Sequence, residues 1–283
     1  MRKLQFFTVF VALLLLLGLY FFADFKGNKS SKTQQAAGHA ESGDPMNPNA
    51  EVIALDFDQY SKQQVSKLPA SQKSLITGLT DKANQANTPI AFKDVAEFWE
   101  REKDLVMAAY YYKKAAFLEN TEKSVTFAGN LYQAVLQKTE EPGTRKWLAL
   151  EAIACFNKAL TINPNNTDTK IALATCYTEG TGETMKGVTL LREVTKTDSN
   201  NISANIILGK LAIQSGQFDK AKKRLELVLS IKPDNTEAMY FLAEAYKGSG
   251  NKEKAISLFE QCKTLVNNPD FTKEIDNYIK TFK

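Results

Sequence analysis

The sequence has 283 residues, of which 43% are hydrophobic and 24% are charged, close to the usage of proteins that bury a core. This composition excludes a chain that is disordered or collagen-like throughout, and it excludes one built from many membrane spans. The net charge is only +4 and just five of the 36 basic residues are arginine, so no nucleic-acid partner is predicted.

An uncharged run of 20 residues, 4–23, follows two basic residues near the start of the sequence. A helix of that length would span roughly 30 Å, the thickness of the hydrocarbon core of a lipid bilayer. The run predicts a single transmembrane anchor, and short N-terminal tails of this kind favour an extracytoplasmic (periplasmic) location for the rest of the chain. The alternative is a cleaved signal peptide, although the run is longer than such segments and its end, Tyr20 to Ala23, offers no small-x-small cleavage site.

The next segments divide the chain by composition. With the anchor assigned to residues 1–25, residues 26–50 predict a flexible linker, because Gly, Ser, Asn, Gln and Pro dominate there and large apolar side chains are almost absent. Residues 51–88 contain two short helical patterns, at 58–68 and 70–79, which predict N-terminal capping helices.

Residues 89–283 repeat at a longer period. Three pairs of equivalent residues are each separated by 34 residues: Leu208 and Leu242, Gly216 and Gly250, and Ala221 and Ala255. Small residues at these places allow two helices to approach closely, and a proline after the second helix stops it. The pattern predicts about five units, at 89–121, 122–166, 167–201, 202–235 and 236–269, followed by a closing helix at 271–282.

This period and residue pattern resemble the tetratricopeptide repeat (TPR). The resemblance implies an all-α fold, a right-handed α-solenoid of antiparallel helix pairs with a concave inner face. The second unit departs from the pattern, since Lys138 to Arg145 contains Glu140-Glu141-Pro142-Gly143, which predicts a lengthened turn between its helices.

The motifs that could support catalysis are weak. The glycine-rich stretch 180–187 lacks the lysine of a phosphate-binding loop and coincides with a turn of the repeat. The single histidine, His39, lies in the linker. Cys155, Cys176 and Cys262 are interpreted as buried apolar residues, with a Cys155–Cys176 disulfide as the alternative. The sequence therefore predicts no enzyme, no cofactor and no metal site.

In this family the concave surface is lined mainly by residues of the first helix of each unit. The resemblance therefore implies a partner-binding groove lined by Phe127, Asn130, Ile171, Thr175, Ile207, Lys210, Tyr240, Phe241 and Glu244. Lys93, Glu97, Gln133 and Ile206 are further candidates for the lining. Glu97 and Phe127 occupy places where some members use asparagine to hold a peptide carboxylate, so that clamp is not predicted. An apolar stripe of this kind suits an amphipathic helix or an extended peptide, the alternative being that its side chains pack between repeats.

These observations predict a membrane-anchored protein–protein interaction scaffold or assembly factor that contacts the lipid bilayer through residues 4–23. One alternative is an extracytoplasmic chaperone-like factor in protein maturation, of the type used in cytochrome c biogenesis. Another is a secreted periplasmic TPR protein whose signal peptide is cleaved. The oligomeric state is open.

Overall fold

The structure, a computed structural model, describes residues 52–283. Throughout this part of the chain all regular secondary structure is helical. The predicted anchor at 4–23 and the linker at 26–50 lie outside the described residues. Within residues 52–283, no helix combines the length and the apolar character that a membrane span requires.

The described chain divides into two compact units, residues 52–207 and 208–283. The N-terminal unit contains eight α-helices: α1 Phe57–Lys67, α2 Ala70–Ala86, α3 Pro89–Arg101, α4 Leu105–Glu119, α5 Glu122–Lys138, α6 Pro142–Ile162, α7 Thr167–Thr175 and α8 Thr184–Thr197. Helix α9, Ile202–Gln214, contributes residues to both units. The C-terminal unit continues with α10 Phe218–Ile231, α11 Thr236–Gly248, α12 Lys252–Val266 and α13 Pro269–Lys280.

Most of the described helices begin at residues whose side chains suit an N-cap, whereas α2, α8 and α10 have no side-chain cap hydrogen bond. Short polar side chains accept a hydrogen bond from the backbone N–H three residues further on, which satisfies a donor that the helix itself leaves unpaired. The residues that do so are Asp56, Thr88, Asp104, Thr121, Asn166, Asn201, Asn235, Asn251 and Asn268. Asparagine in the left-handed conformation closes α2, α4 and α12. The helix boundaries thus follow from local chemistry.

Successive helices joined by short turns form antiparallel pairs around apolar cores. In the N-terminal unit, Tyr132 of α5 and Phe156 of α6 are fully buried, and Gly129 lets the ring of Phe156 approach the backbone of α5. In the C-terminal unit, Gly209 admits Leu225 in the same way. A small residue facing a large one is the packing that the repeat pattern predicts.

The connection between α5 and α6 differs from the sequence-based expectation. The prediction of a lengthened turn over Lys138 to Arg145 is wrong, because α5 continues to Lys138 and α6 begins at Pro142. Glu141 caps α6 by accepting hydrogen bonds from two backbone N–H groups, and Pro142 suits the first helical position. Arg145 donates to the carbonyl of Leu136 at 2.9 Å, which ties the two helices together. The extra residues lengthen α6, which has 21 residues, instead of the turn.

The glycine-rich stretch 180–187 is a turn between helices. A π-helical segment, Cys176–Gly180, continues α7, and α8 begins at Thr184. Gly182 lies between them with φ +73°, a conformation that glycine adopts without strain.

The helices at the two ends of the described chain are α1 and α2 at the N-terminal end and α13 at the C-terminal end. Helices α1 and α2 lie where two short helices were predicted, and α2 continues to Ala86. Helix α13 buries Phe271, Ile275 and Ile279 and keeps its charged residues on the other side. Helix α1 buries no residue fully and packs through partly buried side chains, Phe57, Tyr60 and Val65.

Candidate functional site

An exposed phenylalanine marks the most accessible aromatic group among the predicted groove residues. Phe127, on α5, is 55% exposed. Its ring lies edge-to-face against Tyr112 of α4, with ring centroids 5.8 Å apart and an interplanar angle of 89°. Asn130, one turn further along α5, is also exposed. Edge-to-face packing on one side holds the Phe127 ring in place while its other side faces solvent.

Two carboxylates of α3 lie beside this aromatic pair. The hydroxyl of Tyr112 donates a hydrogen bond to Glu100 Oε2, with the two oxygens 2.9 Å apart. Burial raises the pKa of Tyr112 to about 12, and the hydrogen bond to Glu100 and the charges of Glu100 and Glu97 act in the same direction. Tyr112 therefore stays a neutral donor at physiological pH. We call Glu97, Glu100, Tyr112, Phe127 and Asn130 together the Phe127 surface.

The other predicted groove residues of the N-terminal unit are less accessible. Ile171 and Thr175 of α7 and Ile207 of α9 are half-buried. The hydroxyl of Thr175 donates to the carbonyl oxygen of Ile171 at 3.1 Å, within its own helix. Lys93 forms an ion pair with Glu119 of α4, with Nζ 2.6 Å from Oε1. Their role in binding stays a prediction.

Tyr240 and Glu244 of the C-terminal unit lie in its interior instead of on an open surface. They are 8% and 5% exposed. The Tyr240 ring packs edge-to-face on Phe259 of α12 at 5.3 Å, in a core that also contains the apolar face of α13. This burial is the physical reason for the difference from the sequence-based placement, because the pattern of one repeat does not show what the closing helix covers.

The remaining predicted residues of the C-terminal unit are half-buried. Phe241 of α11 lies edge-to-face against Tyr240 at 5.6 Å, and Lys210 Nζ lies 6.0 Å from the centroid of the Phe241 ring. That geometry is a cation–π contact at its outer limit. The structure thus brings together Phe127 with Asn130 and, within the C-terminal unit, Lys210 with Phe241 and Tyr240.

Burial gives Glu244 an unusual electrostatic environment. Desolvation raises the pKa of its carboxyl, although the ammonium group of Lys247, with Nζ 3.7 Å from Glu244 Oε2, and the hydroxyl of Tyr278 act in the opposite direction. Lys247 also contacts the hydroxyl of Tyr278 in α13. These polar groups connect α11 to the closing helix.

Tyr112 and Glu100 are the members of the Phe127 surface that sequence reasoning missed. Neither residue is among those that the sequence singled out for the groove. The available signal was the spacing of Glu97 and Glu100, which are three residues apart and therefore share one side of α3.

No group of three or more His, Cys, Asp or Glu residues within 52–283 could hold a metal ion. Cys155, Cys176 and Cys262 are free thiols in the interior, so the alternative Cys155–Cys176 disulfide is not formed. Burial raises the pKa of each thiol to about 12, which disfavours the reactive thiolate.

Comparison with known proteins supports the class that the helix pairs define. The family described as tetratricopeptide repeat matches residues 212–263 and, separately, residues 150–166. A solved tetratricopeptide repeat protein from Parabacteroides merdae ATCC 43184 superposes with a TM-score of 0.54, at 15% identity, over 80% of this chain and 82% of its own. The chain therefore contains tetratricopeptide repeats in an all-α, TPR-like fold.

Two further similarities are weaker. Superkiller protein 3 of Schizosaccharomyces pombe (strain 972 / ATCC 24843) is 29% identical over 140 residues, which are 47% of this chain and 10% of that protein. This chain thus spans a tenth of that relative. YrrB, a TPR protein described as having an unusual peptide-binding site, is similar at 21% identity with a TM-score of 0.46, over 70% of this chain and 97% of its own.

Proposed function

We propose that this protein is an interaction scaffold or assembly factor that binds a protein partner through the Phe127 surface. The observation that carries the proposal is the 55% exposure of an aromatic side chain that a neighbouring ring already holds in place. Aromatic residues of this kind contribute much of the affinity of protein interfaces, because they bury a large apolar area at little cost in conformational entropy. Burying the exposed half of Phe127 would contribute about 1–2 kcal/mol.

The charges around Phe127 indicate the chemistry of the partner. Glu97 and Glu100 are exposed carboxylates. Of the two basic residues on the same helix, Lys93 is paired with Glu119 and Arg101 directs its Nε to the backbone carbonyl of Glu97 at 3.2 Å. A lysine or arginine side chain of a partner would meet both the carboxylates and the face of the Phe127 ring. The surface therefore suits a peptide or helix that combines an apolar residue with a basic one.

We further propose that the scaffold lies beside a membrane, with its repeats on the extracytoplasmic side. The support is the uncharged run at 4–23, which has the length of a membrane span. Mass spectrometry of the purified protein identifies its first residue and so tests whether the run at 4–23 is retained. A mature chain that begins after Ala23 would remove the anchor.

The experiment that tests the binding site compares two exposed apolar residues of the N-terminal unit. The full chain carries Phe127→Ala or, as the matched control, Met185→Ala, whose side chain is 71% exposed on α8. Each variant is used to recover partners from the cells that produce the protein, and far-UV circular dichroism verifies folding. We expect Phe127→Ala to weaken partner binding about tenfold, the equivalent of about 1.4 kcal/mol, and Met185→Ala to leave it unchanged. Equal recovery with both variants would refute the Phe127 surface as the binding site.

A further inference from the structure

The residues that precede α1 lie as an extended segment across the start of α6. Residues 52–56 have no regular secondary structure. The backbone N–H of Leu55 donates to the carbonyl of Gly143 at 3.1 Å, and Lys146 Nζ donates to the carbonyl of Val52 at 2.6 Å. The segment is therefore held partly by its main chain, as an extended peptide ligand is.

Phe57, at the end of this segment, inserts its ring among aromatic residues of two different helices. It stacks on Tyr110 of α4, with centroids 3.9 Å apart, and on Trp147 of α6, with centroids 5.0 Å apart and an interplanar angle of 10°. The Trp147 ring in turn packs edge-to-face against Tyr132 of α5, with ring centroids 5.6 Å apart. These rings form a slot for one aromatic side chain.

Gly143 allows the main chain of the segment to come this close. A Cβ atom at position 143 would lie 2.7 Å from the backbone oxygen of Ile53, too close for a carbon–oxygen contact. Any larger residue at position 143 would push the segment away from α6. Tyr60, in the first turn of α1, then donates its hydroxyl to the carboxylate of Asp104 at 3.0 Å.

Beyond these contacts the segment and α1 pack only through partly buried side chains, Ala54, Leu55, Tyr60 and Val65. We call residues 52–67 the N-terminal arm. Helix α1, which forms most of it, has no fully buried residue, whereas α6 beneath it has ten. Its specific contacts are the stacked Phe57 ring, two hydrogen bonds that involve the main chain and the hydrogen bond from Tyr60 to Asp104. That is the contact set of a docked peptide more than that of a core helix.

We propose that Tyr110, Trp147 and Gly143 form a second peptide-binding surface, which the N-terminal arm occupies as an intramolecular ligand. The surface takes an extended apolar segment that ends in an aromatic residue at the start of a helix. A segment of that chemistry supplied from outside competes with the arm and binds the slot when the arm is released. This proposal is independent of the Phe127 surface, because it involves none of the same residues.

Trp147 provides the signal for the test. The sequence has two tryptophans, and the other, Trp99, is buried in a separate core. In a full chain with Trp99→Phe, we expect Phe57→Ala to shift Trp147 emission to longer wavelength and to increase its quenching by acrylamide several-fold. The matched control is Ile53→Ala. The Ile53 side chain is 85% exposed, so its removal should leave the Trp147 emission unchanged.

The decisive step is the addition of a synthetic peptide of residues 52–67 to the Phe57→Ala chain. The proposal expects the peptide to restore the protected Trp147 emission, and the same peptide with Phe57→Ala to have no effect. Failure of the first peptide to restore the signal at about 1 mM, a concentration that detects even weak binding, would overturn the proposal.

Hydrogen exchange on the unaltered protein keeps the proposal testable if the variants fold poorly. We expect the amides of α1 to exchange at least about a hundredfold faster than those of α6, because the arm opens without unfolding the unit. Equal protection of α1 and α6 would show that the arm is a fixed part of the core, and this result would also overturn the proposal.

Discussion

Gly129 is the position at which a single methyl group tests the packing of α5 on α6. A Cβ atom there would lie 2.6 Å from Phe156 Cε1 and 2.9 Å from Cδ1 and Cζ of the same ring. Carbon atoms in contact lie about 3.5–4.0 Å apart, so the added methyl overlaps the ring by about 1 Å. Because Phe156 is fully buried, its ring has no space into which it can move.

The size of the effect follows from two opposing contributions. Overpacking in a closed core costs about 1–3 kcal/mol, and alanine in place of glycine within a helix returns up to about 1 kcal/mol. We expect Gly129→Ala to lower the free energy of unfolding by about 1–2 kcal/mol. Gly78, in α2, is the matched control, since a Cβ there meets nothing within 4 Å. Gly78→Ala should raise the free energy of unfolding by about 0.5–1 kcal/mol.

Urea unfolding followed by tryptophan fluorescence measures both values. Both tryptophans, Trp99 and Trp147, belong to the N-terminal unit, so their emission reports the unit that contains both glycines. The two variants should shift the unfolding midpoint in opposite directions with an unchanged slope. If Gly129→Ala is as stable as the unaltered protein, or more stable, the close approach of α5 and α6 is refuted.

Three further predictions concern buried or capping polar groups. Because burial raises the pKa of all three cysteine thiols to about 12, iodoacetamide at pH 8 should modify none of them in the folded protein and all of them in urea, as counted by mass spectrometry. Hydrogen bonds from the Thr144 hydroxyl and from backbone N–H groups lower the pKa of Glu141. Glu141→Gln should therefore cost about 0.5–1 kcal/mol of stability at pH 7, and the loss should shrink as pH falls through the lowered pKa of the folded state. Burial raises the pKa of Glu244, so the folded state favours the protonated carboxyl, and its contribution to stability is lost as pH rises through that pKa. Glu244→Gln should raise the free energy of unfolding by about 1 kcal/mol at pH 7 and by less at pH 4, measured by urea unfolding with far-UV circular dichroism.

Much of the fold could be predicted from the sequence because its signals are local and repeat. The 34-residue period and the placement of small residues opposite large ones predict helix pairs, and Gly209 against Leu225 shows such a contact directly. The connection between α5 and α6 was misjudged because Pro142 and Gly143 were interpreted as turn residues. Proline is equally suited to the first position of a helix, and the capping carboxylate of Glu141 decides in favour of the helix.

The candidate site was harder to predict because accessibility depends on residues far away in the sequence. Phe127 was singled out as an apolar residue of a first helix, but its exposure depends on its neighbours in the fold. Tyr240, another predicted groove residue of a first helix, is buried because α12 and α13 share its core. Phe57 gave no signal of its own, since its stacking partners Tyr110 and Trp147 lie more than 50 residues further along the chain.

Cross-linking from position 130 tests most directly whether the Phe127 surface meets a partner. A photoreactive amino acid replaces the exposed Asn130 of the full chain in the cells that produce it, and its adducts are resolved by mass. We expect a small number of discrete adducts, which Phe127→Ala abolishes and Met185→Ala preserves. A complete absence of adducts, or adducts that persist unchanged with Phe127→Ala, would contradict partner binding at this surface.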